Sequence, residues 1–201
     1  MEQTETDFQG EKPVLNILGD KVALGPMQKK MITDIVRWEN DFAVTLMSGD
    51  PLRPVTRESI EEEFARQSKE TDPWSVNFAI YEQASLRFIG NVGLRHIDKT
   101  RRTAEYGIII GEKDCWGKGY GTETTILMLD YAFTVLGLHN VLLSTYGYNE
   151  RAVRAYTRAG FRVMGRRREA ARLGDQLYDI IFMDCLATEF RSPLKRVVEL
   201  P

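Results

Sequence analysis

Residues Cys115–Thr124 read CWGKGYGTET. Gly117, Gly119 and Gly121 alternate with a lysine and a tyrosine, and the apolar run TTILMLDYAFTVL, Thr124–Leu136, follows directly with the spacing of a helix. Ahead of the glycines lies TAEYGIIIG, Thr103–Gly111, whose III run marks a central strand buried on both faces. Strand, glycine loop and helix together make the general plan of an anion site. Glycines let a backbone come close to a ligand, and a helix N-terminus offers unpaired N–H groups at the positive end of its dipole.

Spacing removes two nucleotide readings of this loop. A phosphate loop of the form G-x-x-x-x-G-K-[ST] has four residues between its glycines, whereas five separate Gly111 from Gly117, and Lys118 is followed by Gly119 instead of a hydroxyl residue. The dinucleotide fingerprint G-x-G-x-x-G fails because Gly117, Gly119 and Gly121 run G-x-G-x-G, with no early βαβ unit around them.

Working outward, KVALGP (Lys21–Pro26) is a short strand ending in a Gly-Pro turn, and MQKKMITDIVRWEND (Met27–Asp41) has helical spacing through Met31, Ile32, Ile35 and Trp38. LMSGDPLRP reads as a loop, and Thr56 caps a thin surface helix, RESIEEEFARQS. SVNFAIYE and RFIGNVGLRHI form a strand pair turned near Gln83–Ser85. NVLLSTYG (Asn140–Gly147) is a strand, and NERAVRAYTRAG (Asn149–Gly160) is a helix with Asn at its start and Gly at its end. FRVMGRRRE and QLYDIIFMDCL make a last strand pair turned near RLGD. The expected fold is α/β (α+β): one mixed, mostly antiparallel central sheet of about six to seven strands flanked by about four helices. Residues 1–13 read as a flexible leader, 14–187 as one domain and 188–201 as a tail.

Composition sets the class. The chain has 201 residues, 43% hydrophobic and 28% charged, with a formal net charge of −2, as expected of one globular domain. With no block of like charges, nothing points to nucleic acid. No apolar run reaches the roughly 18 residues of a membrane span, and the acidic start MEQTETDFQGEKP is no signal peptide. Cys115 and Cys185, like His96 and His139, stand far apart without metal-ligand spacing, so no metal site is expected, and the cysteines read as reduced thiols of a cytoplasmic protein.

The loop resembles the pyrophosphate loop of the GNAT superfamily of N-acetyltransferases, R/Q-x-x-G-x-G/A: Gly119 and Gly121 match its glycines, and Trp116 stands where Arg or Gln is usual. The WGKGYG form is similar to that of the branch acetylating ribosomal-protein N-termini. NERAVRAYTRAGF resembles the family's N-x-x-A-x-x-x-Y-x-x-x-G-F segment, with Asn149, Ala152, Tyr156, Gly160 and Phe161 in register. The likeness runs from about Lys21 to Leu186, and LDYAF and LH are also similar to the spermidine N-acetyltransferase branch.

That resemblance implies acetyl-CoA as co-substrate and direct attack by an amine on the thioester. Backbone N–H groups of Trp116, Gly117, Lys118, Gly119, Tyr120, Gly121 and Thr122 would hold the pyrophosphate. The Lys118 side chain either adds a point charge or points into solvent. The strand Tyr106–Ile110 would splay from Val141–Ser144 and take the pantetheine arm as an added strand, with a backbone N–H near Ile108 or Ile109 polarising the thioester carbonyl. Tyr156 is either the acid that protonates the leaving thiolate or a buried aromatic of its helix. Glu105 is either the base for the amine or a strand-end carboxylate paired with Arg101 or Arg102. Asn149 caps its helix, contacts the cofactor arm, or does both. The acceptor, a small-molecule amine or a protein N-terminus, would enter between the first two helices and the last strand pair, where Glu58, Glu61, Glu62 and Glu63 oppose Arg166, Arg167, Arg168 and Arg172 in their effect on a cation. A homodimer is compatible with the resemblance. The alternative to an enzyme is a CoA-binding sensor module with the same fold and no turnover.

Overall fold

Period-two patterning along the chain resolves into eight strands in a computed structural model that describes residues 12–48, 52–69 and 73–193. They are β1 (Ile17–Leu18), β2 (Val22–Gly25), β3 (Val76–Glu82), β4 (Phe88–Asp98), β5 (Thr103–Ile110), β6 (Asn140–Tyr146), β7 (Arg162–Leu173) and β8 (Gln176–Leu186). The helices are α1 (Ile32–Glu39), α2 (Phe42–Ser48), α3 (Arg57–Lys69), α4 (Tyr120–Asp130) and α5 (Glu150–Ala159). One sheet runs in the order β1-β2-β3-β4-β5-β6-β8-β7. Every neighbouring pair is antiparallel except β5 and β6, so the mixed, mostly antiparallel sheet expected from sequence is present, with one strand more than expected. The extra strand is β1, whose two paired residues are too few to carry a periodicity.

Of the expected Met27–Asp41 helix, Lys29–Met31 form a 3-10 turn and Ile32–Glu39 form α1, and a further helix, α2, follows beyond its expected end. The Asn40 side chain donates to the Val36 carbonyl at 2.8 Å and to the Val55 carbonyl at 2.8 Å, ending α1. The Asp41 carboxylate then accepts from the Ala43 N–H at 3.1 Å, opening α2. Leu46–Ser48, expected in a loop, belong to α2. Thr56 does cap α3, accepting from the Ser59 N–H at 3.2 Å. Of the expected leader, residues 1–11 lie outside the described residues, as do 194–201 of the expected tail. The described start of that tail is packed: Phe190 lies 5.4 Å from Phe133 between ring centroids, and Glu189 pairs with Arg162 at 2.8 Å.

The core centres on α4. Leu127, Met128 and Leu129 are buried together with the inward faces of β4, β5, β6 and β8. The helix begins at Tyr120, four residues before the sequence reading, and continues past Asp130 into a π-helical turn, Tyr131–Val135. Because α4 is enclosed on all sides, its one buried glutamate needs partners. Glu123 finds them in the backbone N–H groups of Lys21, at 2.7 Å, and Val22, at 3.1 Å, which fastens the β1–β2 turn to the start of α4.

Candidate active site

The site begins where two strands part. β5 and β6 pair in parallel only at Thr103–Asn140, Ala104–Val141 and Glu105–Leu142. Beyond that point β5 stays paired with β4 out to Ile110, and β6 stays paired with β8 out to Tyr146. Each strand keeps one neighbour and turns an edge without a sheet partner toward the gap. The expected parting of Tyr106–Ile110 is present, but it opens at Leu143: Val141 and Leu142 are still held by the parallel register.

The glycine loop closes one end of this wedge. Gly117 and Gly119 have φ values of 77° and 88°, in the left-handed region that a side chain disfavours. They turn the chain so that α4 starts at Tyr120, and the first helical hydrogen bond is Glu123 N–H to the Gly119 carbonyl, 3.0 Å. The N–H groups of Tyr120, Gly121 and Thr122 therefore precede the helix ladder. A Cβ on Gly121 would meet nothing nearer than Ile110 Cγ1 at 3.9 Å, so the protein's own packing does not require glycine there. A backbone approached by a ligand does require it.

A cavity of about 410 Å³ lies along the free end of β5. Its walls are Ile108, Ile109 and Ile110 of β5, the loop from Trp116 to Thr122 apart from Lys118, one face of α5, and Val44, Met47 and Ser48 of α2. Lys118 is exposed, and its side chain is not part of the cavity wall. Its carbonyl accepts from Lys21 Nζ at 3.2 Å, a link between distant segments that the sequence did not signal. Trp116 donates its indole N–H to the Ile110 carbonyl at 2.7 Å, closing the last acceptor of β5. The Tyr120 hydroxyl donates to Glu82 at 2.6 Å, which anchors the loop to β3 and pushes the phenol up to about 12.

Tyr156 lies on the cavity wall from α5. Its ring packs edge-on against Tyr106, 6.1 Å away, and against Phe161, 6.0 Å away. The side chain is therefore both an aromatic of the helix's inner face and a group at the cavity. Its hydroxyl has no hydrogen-bond partner among the described residues, and burial raises it to about 12. Tyr106, whose side chain had no role in the sequence reading of the site, positions this ring. Its hydroxyl pairs with Thr125 Oγ1 at 2.9 Å, and Thr125 in turn donates to the Gly121 carbonyl at 2.6 Å. A chain of contacts thus joins β5, the loop helix and Tyr156.

Asn149 caps α5, accepting from the Ala152 N–H at 3.1 Å, while its Nδ2 donates to the Met47 carbonyl of α2 at 3.1 Å. Both ends of the buried carboxamide are in use within the protein. Glu105 is not on the cavity wall. It sits at the last paired residue of the parallel register, and its partners are Arg95, at 3.3 Å, and His96 Nδ1, at 3.1 Å. The expected partners Arg101 and Arg102 are engaged elsewhere, with Asp98 at 2.7 Å and with the Gly137 carbonyl at 2.6 Å. Register explains the correction: Arg95 lies directly opposite Glu105 across β4 and β5, and the irregularity that follows sets His96 at a φ of 51° beside the same carboxylate.

Comparison with known proteins agrees with this architecture. Spermidine N(1)-acetyltransferase of Escherichia coli is 37% identical over 94 residues, 43% of this chain and 50% of that protein. The Vibrio cholerae spermidine N(1)-acetyltransferase is 38% identical over 82 residues, 41% of this chain and 47% of its own. The chain thus spans about half the length of these curated relatives. A human alpha/beta-tubulin N-acetyltransferase is 26% identical over 161 residues, 72% of this chain and 74% of that one. The crystal structure of the Vibrio cholerae spermidine N-acetyltransferase in complex with CoA and spermine superposes with a TM-score of 0.76 at 24% identity, covering 85% of this chain and 98% of that one, a likeness of fold. Among the described residues, no helix is long and apolar enough to cross a membrane. Residues 21–162 match the acetyltransferase (GNAT) domain, a span that takes in the parting strands, the glycine loop and the Tyr156 helix, and the chain belongs to that family.

Proposed function

We propose that this protein moves an acetyl group from acetyl-CoA to a primary amine, on a small molecule or at a protein N-terminus. The observation that carries the reading is the wedge between β5 and β6, which leads from the unpaired N–H groups of Tyr120, Gly121 and Thr122 to the Tyr156 hydroxyl. The residues suit a long anionic ligand with an amide-bearing arm. Gly121 leaves room that a Cβ would fill, and the β5 edge from Tyr106 to Ile110 has no strand on the β6 side. When bound, acetyl-CoA supplies an activated acetyl thioester whose sulfur leaves as a thiolate.

The chain's own groups then divide the work. The N–H groups at the start of α4 bind the pyrophosphate, helped by the helix dipole. The free edge of β5 holds the arm by strand-like hydrogen bonds, and an N–H at Ile108 or Ile109 draws charge onto the thioester oxygen. Trp116 takes up the Ile110 carbonyl, so that acceptor does not oppose the incoming chain.

Tyr156 stays protonated across the neutral range, because its hydroxyl is pushed up to about 12. A thiol has a pKa near 8.5, so full transfer from phenol to thiolate is uphill by roughly 5 kcal/mol. Tyr156 therefore acts first as a hydrogen-bond donor to the departing sulfur. An ammonium acceptor gives up two protons on becoming an amide, one before attack and one after it, and the second neutralises the thiolate. Glu105 is the proposed acceptor of the first of these protons, directly or through water. Arg95 and His96 hold its carboxylate on the strand that carries the Ile108 and Ile109 N–H groups. The buried free thiols of Cys115 and Cys185 support a reducing compartment, the cytoplasm.

The test is a calorimetric titration with acetyl-CoA, followed by thiol release with a panel of polyamines and N-terminal peptides. Micromolar binding and turnover with at least one amine are expected. No heat up to millimolar acetyl-CoA would refute the reading. Tight binding without turnover on any amine would leave a CoA-binding module in its place.

A further inference from the structure

Among the described residues, every charged side chain on the wall of the cavity is an arginine of α5: Arg151, Arg154 and Arg158. They recur at helical spacing with Ala152 and Ala155 between them, so one face of α5 offers guanidinium groups separated by small residues. Arg154 is engaged by Glu150 at 2.9 Å. Arg151 has no carboxylate partner among the described residues, and its guanidinium lies 3.9 Å from the centroid of the Trp116 ring. Trp116 cannot rotate away without giving up its bond to the Ile110 carbonyl. The indole thus offers a fixed aromatic face, and the cation rests on it.

A guanidinium stacked by its face keeps its N–H edge free for an anion and has already lost much of its side-chain freedom. The neighbouring backbone N–H groups of α4 amount to only about half a positive charge. A ligand with several phosphate charges needs more than that. Building on the acetyl-CoA reading, we propose that Arg151, held face-on against Trp116, is the side chain that pairs with a ligand phosphate whose other oxygens take the N–H groups of Tyr120–Thr122. Arg151 is then an anion-binding residue, and Trp116 is its positioning residue.

The experiment is calorimetric titration of acetyl-CoA into wild type, Arg151→Met, Trp116→Phe and Trp116→Leu at low and high salt, with thermal melts to check folding. Arg151→Met is expected to weaken binding about ten- to hundredfold at low salt, in line with loss of a charge-assisted bond. That gap should narrow severalfold at high salt, because screening at a Debye length of about 3 Å removes most of what the charge contributed. Trp116→Leu should approach the Arg151→Met affinity although Arg151 is present, and Trp116→Phe, which keeps an aromatic face, should lie between it and wild type. Unchanged affinity of a folded Arg151→Met at low salt overturns the proposal, as does a loss that is the same at both salts, which would mark a packing role. If Arg151→Met does not fold, Arg151→Lys decides: loss with Lys supports the stacked guanidinium, and wild-type affinity at both salts overturns it. Failure of the wild type itself to bind acetyl-CoA would instead remove the reading on which the proposal rests.

Discussion

Gly121→Ala separates the requirements of the fold from those of the ligand. The residue lies in the first turn of α4, and the nearest atom to an added Cβ is Ile110 Cγ1 at 3.9 Å, an ordinary contact. Alanine is favoured over glycine in a helix by about 1 kcal/mol in the interior, and roughly half of that is a fair allowance in the first turn. For a chain of this size that gain raises the melting temperature by about 1–2 °C. The same methyl projects where the unpaired N–H groups of Tyr120–Thr122 meet the cavity. Forcing a methyl into a close contact typically costs about 1–3 kcal/mol, which is roughly a 5- to 150-fold loss of acetyl-CoA affinity. Thermal melts of the free protein and calorimetry with acetyl-CoA measure the two effects, which are expected to have opposite signs. A variant that binds acetyl-CoA within twofold of wild type would refute the close approach of this backbone to the ligand. A lowered melting temperature would refute the reading that the protein has room for the methyl.

Tyr156→Phe keeps the ring against Tyr106 and Phe161 and removes a hydroxyl without a protein partner, so turnover should fall by about 10- to 100-fold, the worth of a hydrogen bond to a charged atom, while acetyl-CoA affinity stays within a few-fold; unchanged turnover would remove its role. The same phenol titrates near 12 in the folded protein and near 10 when unfolded, so its contribution to stability is complete below about pH 10 and is lost as pH rises from there through 12. Urea melts at rising pH should show Tyr156→Phe losing less stability than wild type over that window. Asn149→Ala deletes the α5 cap and the tie to Met47, and should lower unfolding free energy by about 2 kcal/mol in denaturant melts; a change under about 0.5 kcal/mol would contradict both bonds. Glu105→Gln should lower kcat/KM and leave acetyl-CoA affinity unchanged, since the residue is off the cavity wall; wild-type turnover would reduce Glu105 to a partner of Arg95 and His96.

Much of the site was legible because its signals are local. The turn at Gly117 and Gly119 depends on their own backbone preference, and α5 carries its start and stop in Asn149 and in Gly160, whose φ is 115°. Spacing alone set aside two nucleotide loops and left a strand–loop–helix cradle. Tyr156 and Ile108–Ile110 were reachable from the segments that carry the family resemblance, and they do line one cavity.

What the sequence could not say concerns groups brought together from distant segments. The end of α1 depends on Asn40 bonding Val55, 15 residues further along the chain. The partners of Glu105 follow from the antiparallel register of β4 and β5, which periodicity leaves open. Arg151 meets Trp116 only because α5 packs beside the loop, and the exposure of the Lys118 side chain follows from the turn that starts α4. By itself, then, the sequence determined most of the elements, the cradle and the helix that faces it, since these follow from short-range preferences and apolar periodicity. The tertiary structure alone decided where β5 and β6 part, and with that the cavity, because the parting is set by each strand's hydrogen bonds to its other neighbour.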